Sequence, residues 1–259
     1  MTQIISIANQ KGGVGKTTTV INLGVALAQL KKKTLVVDLD PQASLTAGLG
    51  FKANGGQPTV YDLLLNSEEL HVSRAVHPVQ TYLDLIPATT DLADAEIELI
   101  PELRRELVLR RVLEPLKGWY DFILIDCPPS LGLLTINSLC ASEGVIVPLQ
   151  CEYFAMRVLR QLLESIAETK DRLNPHLELT GILATMYSTG TVHSREVLDE
   201  IKDAFGDKVF DTVIHKSIRF AEANVASRAI TEYASNHKGA KAYQKLAKKL
   251  IGHESDEAD

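Results

Sequence analysis

Short apolar runs rich in branched residues recur along the chain, and polar or glycine-rich segments separate them. Continuous runs of this kind are typical of strands that are buried on both faces of a parallel sheet. Such strands are predicted at residues 3–8, 34–37, 83–87, 122–125, 144–148 and 179–184. The pattern therefore predicts a buried, mostly parallel sheet.

Apolar residues at helical spacing follow several of these runs. After the first strand, Val20, Leu23 and Leu27 would share one face of a helix over residues 17–30. Further helices are predicted near residues 102–116, 156–173, 194–205 and 240–250, with a loop at 51–58 and a charged, amphipathic stretch at 90–106. Alternating strands and helices predict an α/β fold, a doubly wound sheet flanked by helices. We expect one domain over residues 1–252 and a disordered acidic tail at 253–259.

Composition changes this picture little. Of the 259 residues, 45% are hydrophobic and 23% are charged, which is ordinary for a globular protein with a sizeable core. The three cysteines, Cys127, Cys140 and Cys151, form no C-x-x-C pair, as expected in a reduced cytosol. No apolar run approaches the ~20 residues of a membrane span, and the chain begins directly with a core strand. We therefore expect a cytoplasmic protein without a signal peptide.

A glycine-rich loop carries the clearest chemistry. Residues 11–17 read Lys-Gly-Gly-Val-Gly-Lys-Thr, between the first predicted strand and the first predicted helix. In a phosphate-binding loop, Lys16 would reach the β- and γ-phosphates of ATP and the Thr17 hydroxyl would bind Mg²⁺. Phosphate oxygens would accept hydrogen bonds from the backbone N–H groups of the loop and of the first helical turn. These N–H groups belong to Gly12, Gly13, Val14, Gly15 and Thr18. Lys11 has no role inside one such site.

Aspartates close two later strands. Asp38 and Asp40 follow the second strand, and their spacing sends both to the same side at its carboxyl end, where ligands of open α/β sheets lie. Asp126 closes the strand at 122–125 and is predicted to hold Mg²⁺ through water.

At this point the chain resembles the ParA/MinD-type ATPases with a deviant Walker A loop, and within them the short, Soj-like ParA partitioning ATPases. The resemblance spans nearly the whole chain and rests on an ordered set of motifs: KGGVGKT at 11–17, DLDPQ at 38–42, IDCPPS at 125–130, IVPLQCEYFAMRVL at 146–159, GILATMY at 181–187 and RFAEA at 219–223.

The resemblance implies a slow ATPase that works as a switch. It implies a homodimer with ATP sandwiched between subunits, in which Lys11 of each subunit contacts the phosphates bound by the other, as an arginine finger does. It further implies that Asp40 orients the attacking water and that Asp38 lies close to the metal and the same water. A ParB-like or cargo-adaptor protein would stimulate hydrolysis, and the cargo would be a plasmid, a chromosome or a large assembly such as a carboxysome.

Charge is unevenly distributed. The net charge is −6, yet residues 202–249 contain ten Lys or Arg and five Asp or Glu, a local balance of +5. By itself this pattern is typical of a solvated helix face. Together with the resemblance, it predicts a surface for non-specific double-stranded DNA and a nucleoid-associated protein. We expect Arg219 to contact DNA, followed by Lys202, Lys241 and Lys245.

Two rival functions stay open. A MinD-like membrane helix would use Tyr243, Leu246, Leu250 and Ile251, but these residues more plausibly dock the last helix on the core, and the acidic tail would be repelled by anionic lipid. A metabolic enzyme on the same scaffold is the second rival, although the cysteines lack a pair suited to a bridging cluster.

The adenine pocket is the least determined part of the site. Thr185 and Met186 are predicted to form one of its walls, with a core position as the alternative. Residues 213–217 and 224–228 depart from the proline- and glycine-containing segments that are usual in the family. The sequence therefore does not identify the residues that contact the adenine base.

Overall fold

The computed structural model describes residues 2–53, 56–66, 69–152, 155–190 and 192–252. The predicted tail at 253–259 lies outside the described residues.

One sheet organises the described part of the chain. Its eight strands lie in the order β3-β4-β2-β5-β1-β6-β7-β8, and every neighbouring pair is parallel except β3 with β4. The strands are β1 (Gln3–Ile7), β2 (Thr34–Asp38), β3 (His77–Gln80), β4 (Leu83–Ile86), β5 (Phe122–Asp126), β6 (Gly144–Gln150), β7 (Glu178–Tyr187) and β8 (Val209–His215). The predicted fold class is therefore confirmed.

Helices cover both faces of the sheet. They are α1 (Lys16–Gln29), α2 (Ser44–Gly48), α3 (Val60–Leu65), α4 (Leu92–Glu98), α5 (Val108–Leu113), α6 (Leu133–Ala141), α7 (Ala155–Arg172), α8 (Val192–Phe205), α9 (Ile218–Val225), α10 (Ile230–Tyr233) and α11 (Lys238–Ile251). Short 3₁₀ turns occupy Val72–Ala75, Arg105–Leu107, Glu114–Leu116 and Gly206–Lys208.

Two hydrophobic cores result from the alternation of side chains along the strands. Ile5 and Ile7 of β1 point into the core beneath α1 and α11, whereas Ile4 points into the opposite core, which α3 to α8 cover. Strands β2 and β5 are buried at every position, as expected for central strands covered on both faces.

The helix predicted near residues 102–116 is present but shorter than predicted. Only Val108–Leu113 is α-helical, with a 3₁₀ turn on each side. Pro115 lacks the N–H that an α-helix would need there, and Arg104 takes a left-handed backbone conformation with φ 56°. These two residues confine the helix to six positions.

Among the helices of the described residues, none is long and apolar enough to cross a membrane.

Candidate functional site

The glycine-rich loop lies between β1 and α1, at the carboxyl ends of the central strands. Gly13 and Gly15 have φ values of 73° and 90°, a left-handed conformation that glycine adopts without strain. Gly15 stands immediately before α1, so the loop delivers its backbone N–H groups to the helix N-terminus. This end of a helix favours phosphate because its N–H groups lack partners and its dipole is positive there.

Neighbouring strands hold the loop in place. The Asn9 side chain donates to the carbonyl of Pro148 on β6 at 2.7 Å and accepts the N–H of Lys11 at 2.9 Å. From the other side, the hydroxyl of Thr185 on β7 donates to the carbonyl of Val14 at 2.8 Å. Thr185 therefore supports the loop from a buried position and is not among the residues that line the cavity, a different placement from the predicted adenine wall.

A cavity of about 600 Å³ opens over the loop. Its walls combine the loop with the segment after β2, the end of β7 and the last turn of α9. The lining residues are Gly12, Gly13, Gly15, Lys16, Thr17, Thr18, Ile21, Asp40, Gln42, Ser44, Ala47, Gly48, Pro129, Met186 and Asn224. The structure thus brings most of the predicted loop residues together with Asp40 and Met186.

Lys16 is buried at the floor of this cavity. Its ammonium group lies 3.4 Å from the carbonyl oxygen of Lys11, inside the curve of the loop. Burial lowers the pKa of Lys16, and the nearby Asp126 carboxylate acts in the opposite direction. A cation in this position can neutralise phosphate oxygens with little screening by water.

Asp126 closes β5 beneath the loop and is completely buried. Within the described residues, neither of its carboxylate oxygens has a hydrogen bond of normal geometry. Burial raises the pKa of Asp126 well above its usual range, and the charge of Asp38 raises it further; the Thr17 hydroxyl and Lys16 lower it. A buried carboxylate whose oxygens form no well-aligned hydrogen bond among the described residues, next to a threonine hydroxyl, fits Mg²⁺, which prefers such oxygen ligands.

Asp38 lies beside Asp126 across the β2–β5 pair, where the two residues are in register. One carboxylate oxygen of Asp38 accepts both the N–H and the hydroxyl of Thr46, at 2.8 and 2.6 Å. Burial raises the pKa of Asp38 to about 6, while the Thr46 bonds lower it. Asp38 is not among the residues that line the cavity, so its direct contacts in this structure are with the segment after β2.

Thr46 is a member of this network that our sequence reasoning missed. Besides donating to Asp38, its hydroxyl accepts the N–H of Ala88, after β4, at 3.0 Å. The residue therefore ties the segment that carries Asp40 to a neighbouring strand end. A single hydroxyl at the start of a short helix gives no distinctive pattern in the sequence.

Asp40 reaches the cavity, as predicted. One of its carboxylate oxygens accepts the N–H of Gln42 at 2.9 Å, which fixes the turn after β2. The residue is 9% exposed and lines the same cavity as the loop glycines. A carboxylate in this position is available to a water molecule beside the phosphates.

Lys11 lies at the rim and faces away from the loop. Its ammonium group forms an ion pair with Glu152 and lies 3.4 Å from the side-chain oxygen of Gln150. Its side chain is 42% exposed and is not among those that line the cavity of its own chain. This placement agrees with a lysine that has no role within one subunit's site.

Met186 lines the cavity at the end of β7 with a φ of 50°, a conformation that costs a side-chain-bearing residue free energy. Strain of this kind often accumulates at functional sites. Of the two residues predicted for the adenine wall, Met186 lines the cavity, and its contact with adenine stays a prediction.

Basic residues of the last helix form a surface stripe. Lys238, Lys241, Lys245 and Lys248 are exposed and spaced three or four residues apart, so they share one face of α11. In the part of the chain that the structure describes, none of these four has an ion-pair partner. We call these four residues the lysine stripe.

Two other residues predicted for DNA lie elsewhere. Lys202 belongs to α8, whose buried residues enter the core on the other face of the sheet from α11. Arg219 forms an ion pair with Glu222, with a nitrogen–oxygen distance of 2.8 Å. The fold therefore separates Lys202 from the lysine stripe and gives Arg219 an acidic partner within its own helix.

The opposite face of α11 is packed. Tyr243 and Leu246 are fully buried, and Leu250 and Ile251 pack partly buried against the same core. The Tyr243 hydroxyl also lies 3.1 Å from the hydroxyl of Thr19 on α1. As predicted, these residues dock the helix on the protein core.

A parallel sheet with a glycine loop before α1, a buried lysine, a threonine at the helix start and a buried acid on the neighbouring strand defines a P-loop nucleotide hydrolase. A family profile described as an AAA domain matches residues 2–179. The sporulation initiation inhibitor protein Soj of Bacillus subtilis is 46% identical over 250 residues, covering 96% of this chain and 98% of Soj. The chromosome partitioning protein ParA of Myxococcus xanthus is 43% identical over 250 residues, covering 96% of this chain and 88% of that protein.

A solved structure also matches along the full chain. The cobyrinic acid a,c-diamide synthase from Mycobacterium smegmatis, crystallised with ADP and magnesium, superposes with a TM-score of 0.85 and 39% identity, covering 100% of this chain and 97% of that one. This chain belongs to the ParA/Soj family of ATPases. It is a ParA-type positioning ATPase, and the Mycobacterium smegmatis protein has also been crystallised with an ATP analogue and magnesium.

Proposed function

We propose that this ATPase dimerises around ATP, that the dimer binds double-stranded DNA without sequence specificity through the lysine stripe, and that a ParB-like or cargo-adaptor protein triggers hydrolysis and release. In the cytoplasm, this cycle of binding and release would position a cargo along the nucleoid. Relatives named for chromosome partitioning favour a chromosome as that cargo.

The lysine stripe is the observation that carries the proposal. Four ammonium groups, none with an acidic partner among residues 2–252 as described, extend over about 15 Å of helix, at 1.5 Å per residue. Duplex DNA presents one negative charge per about 1.7 Å of its axis, so this length of helix can reach several phosphates. A dimer would present two such stripes and double the number of contacts.

The exposed position of Lys11 supports the dimer. Its ammonium group is held at the rim by Glu152, outside its own cavity. From there it would exchange this surface ion pair for the phosphates of a second subunit. Exposed ion pairs contribute only about 0–1 kcal/mol, so the exchange would cost little.

The three aspartates receive different roles because they lie at different distances from the cavity surface. Asp126, with Thr17, would hold Mg²⁺, which neutralises phosphate charge when bound. Asp40 would orient the attacking water because its carboxylate reaches the cavity. Asp38 would act near them by fixing the Asp40 segment through Thr46.

Two alternatives make different predictions. The packed apolar face of α11 disfavours a membrane helix, since Tyr243 and Leu246 would have to leave the core. The name of the Mycobacterium smegmatis structure suggests a cobyrinic acid a,c-diamide synthase as the second alternative. ATP turnover that rises with cobyrinic acid, but not with DNA and a partner protein, would favour that function.

The test is the salt dependence of DNA binding. With ATP and Mg²⁺, unrelated duplexes should bind alike, and the logarithm of the affinity should fall linearly with the logarithm of the salt concentration. Lys245→Gln removes one contact from each subunit and should reduce that slope by about 1.8, at about 0.9 per contact, for every sequence.

Lys202→Gln is the matched control, because it removes the same charge from the other face of the sheet. It should leave the slope unchanged. Binding of equal strength with ADP, or an equal effect of both variants, would contradict the proposal. Flotation with anionic vesicles in ATP would instead support the membrane alternative.

A further inference from the structure

The sheet topology fixes which way a nucleotide lies in the cavity. The glycine loop follows β1, and Asp126 and Asp40 follow β5 and β2, which lie on one side of β1. Met186 ends β7, and α9 follows β8, both on the other side. Because the metal acid must be near the terminal phosphates, the base must extend toward Met186 and α9.

Asn224 lines the cavity at this base end. It lies in the last turn of α9, where Ala223 is buried and anchors the helix. The N–H of Ser227 donates to the Asn224 carbonyl at 3.0 Å, and the N–H of Arg228 donates to that of Ala223 at 3.0 Å. The backbone is therefore fixed, while the exposed side-chain amide has no hydrogen bond to the residues that the structure describes and is available to a ligand in the cavity.

We propose that the Asn224 side chain reads the edge of the adenine ring that carries the 6-amino group. An asparagine amide has one acceptor oxygen beside one donor nitrogen. Adenine presents the complementary pair, because its 6-amino donor lies beside a ring-nitrogen acceptor. Two hydrogen bonds can form at once, while Met186 packs against the apolar face of the ring.

This pairing makes Asn224 a specificity-determining residue of the ATP site. A purine without the 6-amino group keeps the ring nitrogen but leaves the amide oxygen unpaired. Guanine replaces the amino group with a carbonyl, so that with N7 it presents two acceptors to the amide. Sites that hydrogen-bond a ligand group discriminate against analogues that lack it; because Asn224 is exposed and water can reach its amide, the discrimination here is the net contribution of one hydrogen bond.

Diphosphates test the proposal without hydrolysis or dimerisation. The affinities of ADP and of purine riboside diphosphate, which lacks the 6-amino group, are measured with Mg²⁺ by displacement of a fluorescent ADP analogue. For the wild-type protein we expect about fivefold weaker binding of the analogue, the net contribution of one hydrogen bond to a side chain that water can solvate.

Asn224→Ala removes two hydrogen bonds from ADP and one from the analogue, so it should weaken ADP binding about 25-fold and analogue binding about fivefold, and bring the ratio of the two affinities close to one. Val225→Ala is the matched control, since the next side chain is 90% exposed and does not line the cavity. It should change neither affinity.

Unchanged ADP binding by Asn224→Ala would overturn the proposal. Equal weakening of both diphosphates would also overturn it, because it would show that the substitution disturbs the end of α9 and removes no contact with the 6-amino group. GDP binding to the wild-type protein as tight as ADP binding would overturn it as well. None of these outcomes depends on DNA binding or on a partner, so the proposal stands or falls apart from the proposed function.

Discussion

The buried carboxylate of Asp38 lowers the free energy of unfolding of the nucleotide-free protein. Its carboxylate is completely buried, next to Asp126, and receives hydrogen bonds from Thr46. Raising its pKa from the ordinary value of 3.8 to about 6 costs the folded state about 3 kcal/mol once the group is ionised, at about 1.36 kcal/mol per pH unit.

Asp38→Asn removes the charge and keeps an oxygen for the two Thr46 donors. It sacrifices the long 3.3 Å bond from the Asp40 N–H, worth about 1 kcal/mol at most. We therefore expect the variant to be more stable than the wild-type protein by about 2 kcal/mol at pH 8, without nucleotide or Mg²⁺.

The sign of the pH dependence follows from the raised pKa. Between pH 3.8 and about 6 the folded wild-type protein binds more protons at Asp38 than the unfolded chain does, so its stability falls as the pH rises through this window. Above it, the full cost is present. The advantage of Asp38→Asn should therefore shrink from about 2 kcal/mol at pH 8 to zero or below near pH 4.

Urea unfolding followed by far-ultraviolet circular dichroism, in EDTA at pH 4 to 8, measures this difference. Asp203→Asn, at an exposed position on α8, is the control and should stay within about 0.5 kcal/mol of the wild-type protein at every pH. A variant that is less stable at pH 8, or an advantage that does not change with pH, would refute the reasoning.

Two further predictions concern the nucleotide site. Lys11→Gln should still bind ATP through Lys16 and the loop, but light scattering with ATP and Mg²⁺ should find a monomer; a variant that dimerises and hydrolyses ATP normally excludes the role in the second subunit. Asp126→Asn should raise the melting temperature of the nucleotide-free protein, because it removes a carboxylate whose pKa burial raises well above its usual range, and should abolish the extra stabilisation that Mg²⁺ adds to ATP. A Mg²⁺-dependent shift as large as that of the wild-type protein would show that Asp126 does not hold the ion.

The central elements of the fold could be predicted because their signals are local. Apolar runs identified β1, β2 and β5, and the glycine loop between β1 and α1 fixed the place of the phosphates. Helix α2 and strand β8 escaped prediction. Helix α2 has only five residues, too few for a clear helical period, whereas in β8 the polar residues Asp211, Thr212 and His215 interrupt the apolar run.

The site divides in the same way. The positions of Lys16, Thr17 and Asp126 could be predicted from sequence alone, because a phosphate-binding loop and an acid at the end of a strand are recognised by local sequence patterns. Thr46 and Asn224 do not, because each reaches the site from an element that only the tertiary structure brings beside the loop.

The lysine stripe shows why the rest required the fold. The sequence alone showed that residues 202–249 carry excess positive charge, because the number of charged residues in a segment does not depend on the fold. Only the tertiary structure decided that α8 and α11 lie on opposite faces of the sheet, which removes Lys202 from the surface that Lys241 and Lys245 share. Which lysines lie together depends on the side of β8 against which each helix packs. That choice is made by burial of apolar faces distant in sequence, and no charge pattern encodes it.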